Sequence, residues 1–114
     1  MIVLEIIKSS TEISDIFAHG KRYHSPFVTL IVQKRQGQHD CNGRVAFLAG
    51  KRLGNAVWRN QAKRRMRAIC QSLSGPWDGY NVIFLAKRST TRVPYSKVLH
   101  ASEGLIRQIM PDSK

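Results

Sequence analysis

Seven cations fall in the run Lys51-Arg52-Leu53-Gly54-Asn55-Ala56-Val57-Trp58-Arg59-Asn60-Gln61-Ala62-Lys63-Arg64-Arg65-Met66-Arg67, and no Asp or Glu occurs anywhere from residue 42 to residue 76. Side chains of this kind neutralise phosphate. Arg59, Lys63 and Arg67 stand four residues apart, so a helix stacks them on one side. Each such like-charge pair costs roughly 0.2–0.5 kcal/mol, with no acid one turn away to offset it. A polyanion laid along that side relieves the repulsion, and nucleic acid is the commonest polyanion. Asn60 within the run adds no helix propensity, but it suits hydrogen bonding to a base edge or a phosphate.

The other residues able to do chemistry are Glu12, Asp15 and His19, which share one side of an amphipathic segment. Hydrolysis of a phosphodiester by protein alone requires clustered carboxylates around a metal, or a histidine pair acting as acid and base. Glu5, Asp40, Asp78, Glu103 and Asp112 are scattered, so no protein-borne active site is visible. Glu12 and Asp15 more simply favour the positive end of a helix dipole. His39-Asp40-Cys41 lies in a polar, Gly-flanked stretch with no second ligand pair at zinc spacing, and reads as a solvated loop.

The whole chain supports the phosphate reading. It has 114 residues, with 19 Lys+Arg against 7 Asp+Glu and a net charge of +12. That imbalance points to phosphate-bearing partners. A hydrophobic fraction of 42% belongs to a folded body rather than a basic tail. Residues 1–114 read as a single domain with a phosphate-bearing partner. No stretch approaches the ~20 apolar residues of a membrane span, and no lipidation signal is present. Residues 1–8 are too short for a secretory signal and carry Glu5 in their middle. Two cysteines give no disulfide framework, which places the chain in a reducing cytoplasm.

The elements that must position the basic run follow from periodicity and turn chemistry. Ser9 and Glu12 have capping-box spacing, and Ile13, Ile16 and Phe17 recur at helical intervals until Gly20, predicting a helix over 10–19. Residues 21–24 suit a sheet edge, and 27–32 are rich in strand formers. Residues 33–43 read as a loop, 44–49 as a buried strand, and 50–55 as the lead into a helix over 56–73. On that helix Trp58, Ala62, Met66, Ile69 and Leu73 make the apolar stripe, with Cys70 at its margin. Asn60, Lys63, Arg64, Arg67 and Gln71 lie opposite, and Arg59 and Arg65 lie on the flanks. Ser74-Gly75-Pro76 ends it. Residues 81–86 form another buried strand. Pro94 opens a final helix carrying Val98, Leu99, Leu105, Ile106 and Ile109, which Pro111 closes. The order α-β-β-β-α-β-α predicts an α+β, two-layer α/β sandwich: a mixed four-stranded sheet covered by helices on one face, with a β-α-β crossover between parallel strands. The residues alone predict the common right-handed crossover.

The run around Gly54 closely resembles the signature of the bacterial ribonuclease P protein subunit, down to the apolar Ala56-Val57, the pair Arg59-Asn60 and the spacing to Lys63-Arg64 and Arg67. The likeness extends along nearly the whole chain, through Phe17-Ala18-His19-Gly20, Ser25-Pro26-Phe27 and Ile83-Phe84-Leu85-Ala86-Lys87. The resemblance implies a left-handed crossover. It also implies a protein cofactor of the ribonucleoprotein endonuclease that removes the 5′ leader from precursor tRNA. The RNA subunit is then the catalyst, with magnesium in its active site, and the protein alone is inactive. Carried over by position, Arg52, Arg59, Asn60, Lys63, Arg64 and Arg67, with Lys51 in the same loop, bind the RNA subunit or lie beside the scissile region. Ile13, Phe17 and Ile31 line a cleft for the leader. Three departures from the family pattern stand out. Gln61 replaces a usual Arg, Ile13 replaces a frequent aromatic, and Leu48-Ala49-Gly50 stands where small serines are common.

Two other classes fit a basic helix: a ribosomal or other structural RNA-binding protein with no catalytic partner, and a DNA-binding helix-turn-helix. The second needs a partner helix three or four residues away, whereas strands flank this one. Trp58 lies on the apolar stripe and reads as core. Tyr23, beside Lys21 and Arg22, suits either an RNA-facing aromatic or an edge-strand residue.

Overall fold

The computed structural model describes residues 6–7, 9–34 and 43–109. The expectations for residues 1–5 and 8, for the loop at 35–42 with its His39-Asp40-Cys41, and for Pro111 fall outside them. Helix α1 (Ser10–His19) begins where Ser9 caps it, the Ser9 hydroxyl accepting the Glu12 N–H at 3.4 Å. At its end the Gly20 N–H donates to the Ile16 carbonyl at 2.7 Å. Gly20 does not adopt a left-handed turn, since its φ is −74°. Close approach requires it instead: a Cβ there would meet the Ile16 oxygen at 2.5 Å and an Ile31 methyl at 3.0 Å.

Strand β1 (Lys21–His24) follows at the sheet edge, then β2 (Val28–Lys34) and β3 (Arg44–Leu48). Helix α2 (Ala56–Ser72) connects β3 to β4 (Tyr80–Ala86), and α3 (Tyr95–Ile109) completes the described chain. The sheet order is β1-β2-β4-β3. β2 runs antiparallel to both neighbours, and β3 lies parallel to β4, as the crossover reading requires. β2 is longer than its apolar run because Gln33 and Lys34 pair with Asn81 and Tyr80 instead of opening the loop. Pro94 sits immediately before α3, and its carbonyl accepts the Lys97 N–H at 3.0 Å. Short 3-10 turns at Lys51–Leu53 and Arg88–Thr91 follow β3 and β4.

The α+β class, the element order and the mixed four-stranded sheet are those expected. The expected two layers are the sheet together with α2 and α3. There Val28, Leu30 and Val32 of β2, Val45 and Phe47 of β3, and Val82, Phe84 and Ala86 of β4 pack against Ala62, Met66 and Ile69 of α2 and Val98, Leu105 and Ile106 of α3. Helix α1 is the difference. It lies across the opposite face, where Ile16 packs with Ile31, Ala46 and Ile83. The helices therefore divide between both faces. β2 and β4 read as unbroken apolar runs because alternate residues face separate cores.

Candidate nucleic-acid interface

The basic segment is built outward from the larger core. Ala62, Met66, Ile69 and Cys70 are the buried residues of α2, while Asn60, Lys63, Arg64, Arg67 and Gln71 are exposed. The helix begins at Asn55, whose side-chain oxygen accepts the Trp58 N–H at 2.9 Å. The sequence reading missed this cap, although Asn before an apolar period is its usual signal. Gly54 precedes it in extended backbone, and a Cβ there would lie 2.9 Å from Cβ and Cγ of Trp58. The missing side chain thus lets the Lys51–Leu53 turn fold against the first turn of α2. Lys51 and Arg52, on that turn, are exposed. Trp58 packs on the core margin, as expected, and its indole N–H donates to the Thr91 hydroxyl at 2.7 Å.

The seven cations do not share one role. Arg65 turns inward, donating from Nη1 to the carbonyls of Thr90 at 3.1 Å and Val93 at 2.6 Å, and lies 6.0 Å from the Tyr95 ring. Arg67 rests over Phe47 at 5.8 Å. Arg59 is half-buried on the flank, its Nε enclosed and without a hydrogen bond. Among the described residues no ion pair involves any cation from Lys51 to Arg67. The pairs present are His19–Asp15, Arg44–Glu12 and Arg107–Glu103.

Helix α1 has two unlike flanks. On one, the Arg44 guanidinium grips both Glu12 oxygens at 2.5 and 3.2 Å, while Asp15 accepts from Gln33 at 3.1 Å and contacts His19 at 3.1 Å. Glu12 and Asp15 therefore have specific partners beyond the helix dipole. Gln33, and after it His19, hold the Asp15 carboxyl below its ordinary range. Glu12, Asp15, Gln33 and Asn81, with Thr11 and Ile16, line a cleft of about 360 Å³. Among the described residues no three His, Cys, Asp or Glu side chains gather as metal ligands.

The other flank is apolar. Ile13 and Phe17 are half-buried against the small core, together with Leu48 and Leu85. Arg22 stands over the Phe17 ring at 5.4 Å. Ile31 is placed beneath this surface at 0% exposure and offers a ligand nothing to touch. Leu48 and Leu85, paired across β3 and β4, carry the accessible surface that the sequence reading assigned to Ile31. Strand register would have found them, since Leu85 lies opposite Thr29, two residues from Ile31 on the same face. Tyr23 faces the larger core as an edge-strand residue, with Lys21 5.3 Å from its ring.

Comparison with known proteins covers the same span. The family model described as Ribonuclease P matches residues 3–110. The chain is 34% identical over 92 residues to the Ribonuclease P protein component of Streptococcus mutans, covering 79% of this chain and 73% of that protein. With the Ribonuclease P protein component of Symbiobacterium thermophilum identity is 29% over 106 residues, covering 90% and 88%. The fold matches solved RNase P proteins from Staphylococcus aureus (TM-score 0.78, 19% identity, 94% and 96% coverage) and Thermotoga maritima (TM-score 0.77, 20% identity, 91% and 96% coverage).

Proposed function

Since this chain belongs to the ribonuclease P protein family, we propose that it is the protein cofactor of a tRNA-processing ribonucleoprotein, binding a catalytic RNA and the 5′ leader of precursor tRNA in the cytoplasm. The observation that carries this reading is the exposed cationic side of the Lys51–Leu53 turn and α2, which no carboxylate neutralises among the described residues. Lys51, Arg52, Arg59, Asn60, Lys63, Arg64 and Arg67 take the RNA subunit. Arg65 is excluded because its guanidinium already holds two carbonyls.

The leader lies along the apolar flank of α1. Phe17 supplies a stacking surface, Arg22 sets a cation beside it, and Ile13, Leu48 and Leu85 complete the floor over the buried Ile31. Bond breaking belongs to the RNA subunit and the magnesium in its active site. The protein supplies affinity and position.

The test is reconstitution. The purified chain alone cleaves no precursor tRNA; added to the catalytic RNA at low magnesium, it restores removal of the 5′ leader. A catalytic RNA that gains nothing from the protein would sink the proposal.

A further inference from the structure

Val57 is 66% exposed, the large hydrophobic side chain left in solvent among the described residues. A lone exposed valine is ordinarily unremarked. Its surroundings set this one apart. It stands in the first turn of the cationic helix, and Gln61 lies four residues on, about 40° away around the axis. Gln61 is exposed, as are Asn60 and Arg64 beside the pair. Phosphate oxygens only accept hydrogen bonds and have no use for an aliphatic surface. An amide both donates and accepts, which suits base edges and ribose hydroxyls, and an isopropyl group packs on ribose carbons or a base face.

We propose that Val57 and Gln61 form a neutral contact strip for the ribose and base-edge surface of the catalytic RNA, of the kind the shallow minor groove of an A-form helix presents. The strip rests on the reading of α2 as the RNA-binding helix and deepens it. Lys63, Arg64 and Arg67 neutralise phosphates, while Val57 and Gln61 fix where along the RNA the helix sits. Gln61 is then suited to its place without a cationic head.

Binding of the full chain to the catalytic RNA, measured across a range of monovalent salt, tests this. Val57→Ser and Gln61→Ala each weaken binding about three- to tenfold, with the log–log salt slope unchanged. Lys63→Ala serves as the comparator and lowers the slope by about 0.7–0.9. Both neutral positions are exposed, so equal thermal unfolding of the variants and the parent checks that the fold is intact. Wild-type affinity in both neutral variants, or a reduced slope in either, overturns the strip. If Lys63→Ala alone responds, the function proposed above survives that loss. If Lys63→Ala also binds as the parent does, the reading of α2 as the RNA-binding helix falls, and the strip falls with it.

Discussion

Helices α1 and α2 carry most of the chain's informative charge, and they treat it in opposite ways. On α1 both acids are answered from within: Glu12 by Arg44, Asp15 by Gln33 and His19. On α2 the exposed cations have no carboxylate among the described residues, and one guanidinium nitrogen of Arg59 is enclosed without a partner. Charges that stabilise a fold are usually satisfied inside it. Charges that meet a partner are left open until it arrives. Net charge alone does not distinguish the two cases; the partner list of each side chain does.

The sharpest way to break this contrast sets the two sides of α2 against each other. Met66 is fully buried, and Met66→Ala costs about 2–5 kcal/mol of stability in a urea titration. Lys63→Ala, on the exposed side, stays within about 0.5 kcal/mol of the parent while its RNA binding weakens. A Lys63→Ala variant as unstable as Met66→Ala would place that ammonium within the fold's own support. A smaller effect belongs to the apolar flank of α1. Phe17→Ala lowers affinity for leader-bearing precursor by about 1–3 kcal/mol and leaves mature tRNA unaffected. Equal losses for both ligands would mean that Phe17 only packs.

The smallest effect lies on the acidic flank. Because its folded-state carboxyl is held low, Asp15 adds stability above its ordinary value of 3.8, and this is lost as pH falls through the lower folded value. The difference in unfolding midpoint between Asp15→Asn and the parent therefore shrinks as pH drops below that range. A difference that stays constant with pH would mean the charge contributes nothing. The group is exposed, so the change is slight.

Much of this was legible in the residues. Ser9 and Gly20 bracket α1 to the residue, and the alternation of Ala62, Met66 and Ile69 with Lys63, Arg64 and Arg67 assigned the sides of α2 correctly. The expectation that the helices cover one face fails for α1, which rests on the other. The signal lay in the unbroken apolar run of β2, since a strand buried on both faces needs cover on both. The fate of Arg65 was beyond local reading, because its carbonyl partners at Thr90 and Val93 lie 25 and 28 residues away. Ile31 sits on the face expected of it, but its burial was hidden for a related reason. Its neighbours in space come from α1, β3 and β4, and only the assembled sheet shows that Ile16 closes over it.

The inward turn of Arg65 has one more consequence. Its Nη1 clamps the middle of α2 to the segment joining β4 and α3, and Trp58 clamps the first turn to Thr91 nearby. The tilt and roll of the helix are set before any transcript approaches. On the function proposed above, association with RNA then loses no rotational freedom within the protein, and the helix docks as a preorganised edge.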